Sequence, residues 1–193
     1  MRLAVLGLAA SAVLPLPSRA QVPVFKITHE DSTVKFSVKA SVALEGTFEK
    51  WDATATFASP DISTGVLDIK IQADSVNTGS GMKDGKLKSK DFFDVKDNPT
   101  ITFHSKKFVQ TGPDTLEIAG DFTIRGVSKP ETLTFTITGA GTGAGGIKGT
   151  MAFDRKEFGM NSGIPFIKIA DRVEVTVDLK GKRVGGPPVD LKE

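Results

Sequence analysis

The side chains in this sequence best suited to proton transfer or metal ligation are two histidines, His29 and His104, and neither has the company that such chemistry needs. His104 falls on the polar side of an alternating stretch and His29 in a polar entry segment, with no Glu-x-x-His spacing and no cysteine to complete a zinc site. The absence of cysteine also removes cysteine nucleophiles, a disulfide framework and a lipid-modified cysteine. No G-x-S-x-G elbow is present. Gly141-Thr142-Gly143-Ala144-Gly145-Gly146 matches G-x-G-x-x-G by letter. That fingerprint works by presenting a helix N-terminus to a pyrophosphate, whereas Ile147 to Asp154 alternates as a strand, so the match reads as a hairpin loop. Carboxylates are plentiful but scattered over polar faces. These patterns propose no catalytic residue, no metal and no cofactor, and the protein is expected not to be an enzyme.

The chemistry that remains is apolar burial with a basic rim. Between Gly79 and Val95 the two-residue alternation stops for longer than a hairpin needs, and Leu87, Phe92 and Phe93 in this stretch are too apolar to leave in water. Fully burying such side chains is worth roughly 1.5–3 kcal/mol each, so the segment is expected to fold back as a short helical lid. Asp84 or Ser89 is placed to cap its turns by accepting backbone N–H bonds, and Asn98-Pro99 ends it. Lys83, Lys86 and Lys88 lie on it; they either meet an anionic head group at a cavity mouth or form a solvated basic face.

Everything around the lid alternates. Val34, Phe36 and Val38 share one face, then Phe48, Ala53, Ala55 and Phe57 after a bend expected at Gly46, then Leu67, Ile69 and Ile71. Beyond the lid come Ile101 and Phe103, then Leu116, Ile118, Phe122 and Ile124, and a turn over Arg125 to Pro130. Leu133, Phe135 and Ile137 follow, then Ile147, Gly149, Met151 and Phe153, and finally Val173, Val175, Val177 and Leu179. Eight half-buried segments with little helix predict an all-β protein, a sandwich or an eight-stranded antiparallel barrel with the lid between strands 3 and 4. A barrel of this size is either filled by its own side chains or holds one small ligand. Alternation alone also suits an outer-membrane barrel, but with no tyrosine and one tryptophan the chain lacks the aromatic girdles of that class.

Residues 1–20 carry Arg2, an apolar run from Leu3 to Leu16 and Ser18-Arg19-Ala20, the pattern of a cleaved secretory signal peptide. The run is shorter than the ~20 residues a membrane span needs. Cleavage would remove two of the 25 Lys+Arg and leave them level with the 23 Asp+Glu, so no electrostatic footprint for nucleic acid remains. Residues 21–184 are expected to form a single domain in the periplasm or a secreted fraction, without stable membrane insertion, and 185–193 a loose tail.

Several stretches together resemble the YceI-like, polyisoprenoid-binding family of exported bacterial proteins. They are Asp31–Val38 (DSTVKFSV), Gly46–Phe48 (GTF), Ala73–Gly79 (ADSVNTG), Leu87–Val95 (LKSKDFFDV), Asn98–Phe103 (NPTITF), Gly120–Pro130 (GDFTIRGVSKP) and Phe153–Met160 (FDRKEFGM). The resemblance implies an extended, lipocalin-like eight-stranded barrel that carries a hydrophobic small-molecule lipid, an isoprenoid or a quinone, in a monomeric or homodimeric protein. Ligand contacts are then expected from Phe36, Val38, Phe48, Leu67, Ile69 and Ile71, and from Leu87, Phe92 and Phe93 of the lid. Ile101, Phe103, Phe122, Ile124, Leu133, Phe135, Met151, Phe153 and Phe158 complete the expected lining, with Lys86 at the head group. Lys86 and Ala40 stand where histidine is frequent in the family, which bears on the head group and not on the fold. An enzyme of another class, an isomerase or hydrolase of a small apolar substrate, would need a titratable side chain pointing inward, and the alternation places none there.

Overall fold

The computed structural model describes residues 21–41, 44–139, 143–163 and 167–192. The leader, residues 1–20, lies outside them, as does the start of the glycine loop, 140–142. The alternating segments become strands β1 (Val24–Ala40), β2 (Leu44–Phe48), β3 (Trp51–Phe57), β4 (Gly65–Gln72), β5 (Val76–Asn77), β6 (Thr100–Gly112), β7 (Thr115–Ile124), β8 (Val127–Thr138), β9 (Ala144–Asp154) and β10 (Ile169–Gly185). The helix α1 (Gly81–Lys88) follows β5, and short 3-10 turns span Ile62–Thr64, Ala73–Ser75 and Arg155–Phe158.

The strands close into an eight-stranded antiparallel barrel because β1 pairs with β10 along its length and meets β3 at Val24 and Thr56. β2 and β3 are one strand bent at Glu49 and Lys50: β2 follows β1, and β3 follows β4. Ser75 holds the bend, its carbonyl accepting from Glu49 N–H at 3.1 Å and its hydroxyl from Lys50 N–H at 3.0 Å. The bend is therefore not at Gly46, which pairs regularly with Phe36. A Cβ at Gly46 would stand 2.8 Å from the Phe36 ring, so glycine is there for space. The turn expected over Arg125 to Pro130 is also tighter than the sequence suggested. Ile124 pairs with Val127, leaving Arg125 (φ 54°) and Gly126 (φ 72°) as a two-residue hairpin with both residues left-handed.

Two bulges shape the interior. In β1, Thr28 faces Lys180 and Thr33 faces Asp178, so extra residues are looped out between them. Ser32, buried there, donates to Thr28 O at 2.6 Å and accepts from Lys180 N–H at 2.8 Å, which satisfies the irregularity internally. In β6 the register slips between Ser105 and Lys107; the buried Ser105 hydroxyl accepts from Leu67 N–H at 2.8 Å. Each bulge changes which residue parity points inward: Ile27 and Val34 both pack on the core, as do Phe103 and Phe108.

Candidate ligand-binding interior

The inward side chains lie in three layers. At the end covered by α1 and the turns after it, Phe36, Val38, Phe48, Ile71, Ile101, Phe122, Ile124 and Phe153 join Leu87, Phe92 and Phe93 around a chamber of ≈ 60 Å³. At the opposite end, a second chamber of ≈ 180 Å³ includes Phe25, Ile27, Phe57, Leu67, Phe108, Leu116 and Ile137 in its wall. Between them Ile69, Phe103, Ile118 and Phe135, each 4 % exposed or less, line neither. They form a packed waist. Phe135 pairs with Gly149 on the neighbouring strand, where a Cβ would stand 2.3 Å from the ring, so this glycine makes room for the ring inside the barrel. The barrel is thus neither hollow throughout nor filled.

This layering sorts the expected lining. Leu67 belongs to the far chamber, and Ile69, Phe103, Leu133, Phe135 and Met151 to the packing between the chambers. Phe158, fully buried, meets Phe122 and Phe153 edge-to-face with ring centroids at 5.4 and 5.1 Å and packs on these two wall residues without lining the chamber itself. Phe25, Ile27, Phe57 and Phe108, absent from the expected set, are wall residues.

The lid forms as its composition requires. Phe93 packs against Phe36 and Phe48, with centroids at 6.5 and 5.7 Å, and Leu87 and Phe92 are buried beside it. Asp84 accepts from the Thr78 N–H at 2.8 Å and hydroxyl at 2.6 Å, tying the helix to the chain that enters it. Ser89 caps the other end, and as a donor: its hydroxyl reaches Lys86 O at 2.7 Å. Lys86 does not reach the chamber. It pairs with Asp91 and its ammonium lies 5.7 Å from the centroid of the Phe92 ring. Asp91 is held below the ordinary carboxylate range by this hydrogen bond and the lysine's charge.

The cation that does line the lid-end chamber is Arg155, at the start of the 3-10 turn after β9. Its side chain is 7 % exposed. It donates to Ala170 O at 3.2 Å, to Met160 O, to Ser162 O at 2.9 Å and to Asp171 Oδ1 at 3.0 Å. Asp171 sits below its ordinary 3.8 because Lys156, and then Arg155, stabilise its carboxylate. With these bonds committed, Arg155 brackets the chain on both sides of the β9–β10 connection, holding Met160 of the chamber wall on one side and, on the other, Ala170 and Asp171, which follow the wall residue Ile169. The letters Asp154-Arg155-Lys156 say nothing of this burial.

The tail, expected to be loose, lies across the far mouth. Asp190 N–H donates to Pro60 O at 2.8 Å, and Pro188, Val189 and Leu191 line the far chamber. The histidines take surface positions: His29 stacks on Trp51 at 4.3 Å, and His104 pairs with Asp68. Among the described residues no group of three or more His, Asp or Glu is arranged for a metal, and no helix is long and apolar enough to cross a membrane.

Fold and interior define a closed antiparallel β-barrel with internal apolar chambers, one beneath a helical lid. A YceI-like domain is matched over residues 25–181, and the chain belongs to the YceI-like family. A UPF0312 protein of Pseudomonas aeruginosa (strain LESB58) is 28 % identical over 186 residues, which are 92 % of this chain and 96 % of that protein. The crystal structure of Burkholderia cenocepacia BcnA superposes with a TM-score of 0.73 at 25 % identity, covering 80 % of this chain and 99 % of that one. A polyisoprenoid binding domain from Saccharophagus degradans, implicated in plant cell wall breakdown, shares the fold with a TM-score of 0.65 at 12 % identity, over 83 % of this chain and 99 % of that domain.

Proposed function

We propose that this protein binds the apolar tail of an amphiphilic lipid, isoprenoid or similarly long and aliphatic, beneath the lid, and that it does so as an exported soluble carrier. The observation that carries the reading is the lid-end chamber, whose wall is apolar apart from Arg155 and whose cover is a separate segment and not a barrel strand. The polyisoprenoid binding named for the S. degradans domain agrees with it, and export rests on the pattern of residues 1–20. Ten methylenes taken out of water supply about 8 kcal/mol, enough to offset much of an association cost of about 4–15 kcal/mol. A tail longer than ≈ 60 Å³ admits has to lift the lid. The one charged side chain in the lid-end wall among the described residues, Arg155, is bonded to backbone carbonyls and Asp171, which supports a binding protein over an enzyme.

Mass spectrometry of an organic extract of the protein purified from its own host tests this. Wild type is expected to yield a long-chain amphiphile near stoichiometry. Phe92→Asp, which places a carboxylate where the side chain is 3 % exposed, should yield none, because the charge has to leave the apolar contact and takes the lid with it. An empty wild-type extract, or full retention by a folded Phe92→Asp protein, would sink the reading.

A further inference from the structure

At the end of the barrel away from α1 the chain closes on itself a second time. β10 hands over to the tail at Gly186, where φ is 73° and a Cβ would stand 1.8 Å from Val22 O, so only glycine fits the turn. The tail then crosses the mouth. Asp190 bridges to Asp61 and donates to Pro60 O. The Gln110 amide brackets Lys192, accepting from its N–H at 2.8 Å and donating to its carbonyl at 2.8 Å. Val189 and Leu191 complete a wall that Ile27, Phe57, Phe108 and Ile137 form on the barrel side. A segment held by so few bonds, next to strands held by continuous ladders, opens at low cost.

We propose that the far chamber is a second, separate binding site for a compact uncharged apolar molecule, a single-ring aromatic or a short branched hydrocarbon, and that residues 187–192 are its door. The size follows from ≈ 180 Å³ and from the waist, which keeps a long chain from running through. Apolar cavities of about 150 Å³ stay dry and take up benzene, because water there lacks the two to four polar partners it needs. The absence of charge follows from the wall. Arg183, its one charged side chain among the described residues, already donates to Gly186 O, and Thr138 donates to Gly146 O at 3.3 Å. An occupant restores the dispersion contacts that an empty cavity forfeits.

Toluene titrated into the full-length protein and followed by methyl NMR is the test. The expected result is saturable shifts at Ile27, Ile137 and Leu191, with Leu87, Ile101 and Ile169 at the lid end unmoved. Ile137→Trp, filling the chamber from the barrel, and Val189→Trp, filling it from the tail without touching barrel packing, should each weaken toluene binding roughly tenfold or more. Gln110→Ala, which frees Lys192, should speed toluene exchange. Absent or unsaturable far-end shifts would overturn the site, equal shifts at the lid end its separateness, and an unchanged exchange rate in Gln110→Ala the door. The proposal does not rest on the lipid reading: an empty lipid extract leaves the toluene titration as it was, and a failed titration leaves the extract as it was.

Discussion

Replacing Phe135 with alanine is expected to lower the free energy of unfolding by about 3–5 kcal/mol, the range for truncating a packed phenylalanine. The high figure follows from its surroundings. Phe135 is fully buried, and the neighbouring strand carries Gly149, whose missing side chain leaves the ring to fill the space above it. No neighbouring chamber shares the space, so the barrel cannot relax into a void it already has. Phe122, by contrast, already borders the lid-end chamber, and its truncation should cost less than that of Phe135 while enlarging an existing cavity. Urea denaturation of the ligand-free proteins checks the order. Phe135→Ala should also join the two chambers and let longer tails be retained, read by mass spectrometry of bound lipid. A cost for Phe135→Ala no greater than for Phe122→Ala would show that the waist is not packed as described.

Arg155→Met is expected to cost about 1–3 kcal/mol, the penalty for leaving buried hydrogen-bonding groups without their partner. The apolar stem is replaced, but the carbonyls of Met160, Ser162 and Ala170 lose their donor and Asp171 loses one of its two cations. Hydrogen exchange should rise at the described residues on either side of the β9–β10 connection, Met160 to Gly163 and Ile167 to Arg172, before it rises in β6 or β7. A denaturation midpoint within error of wild type would remove the bracket role. The same cluster predicts a pH dependence. Asp171 titrates below its ordinary 3.8 in the folded protein, with Lys156 the main cause and Arg155 the lesser. Its contribution is therefore fully present above that value and is lost as pH falls through the lower folded one. Asp171→Asn should flatten the acid limb of the stability profile in this window and leave the profile above it parallel to wild type; an unchanged acid limb would refute the assignment.

Alternation every two residues is a local property of the chain, and where it ran unbroken it told which side chains point inward. Phe36, Ile69, Phe122 and Phe135 were legible for that reason, as was the lid, because Leu87, Phe92 and Phe93 interrupt the pattern with more apolar surface than a loop leaves in water. What the letters by themselves determined is therefore the all-β class, the eight barrel strands, the position of the cover and, through ordered motifs spread along the chain, the family. Three things waited for the tertiary structure. The bulges at Thr28 to Thr33 and Ser105 to Lys107 reverse inward parity midway along β1 and β6, so Phe25, Ile27 and Phe108 could not be counted from the strands' clearer halves. The division into two chambers depends on which side chain meets which on neighbouring strands, a bulky Phe135 over a bare Gly149, and no one-dimensional pattern records a neighbour's volume. The burial of Arg155 depends on Asp171 across the β9–β10 pairing, and the seating of Val189 and Leu191 on Gln110, 82 residues before Lys192; only the folded chain brings these partners within hydrogen-bonding distance.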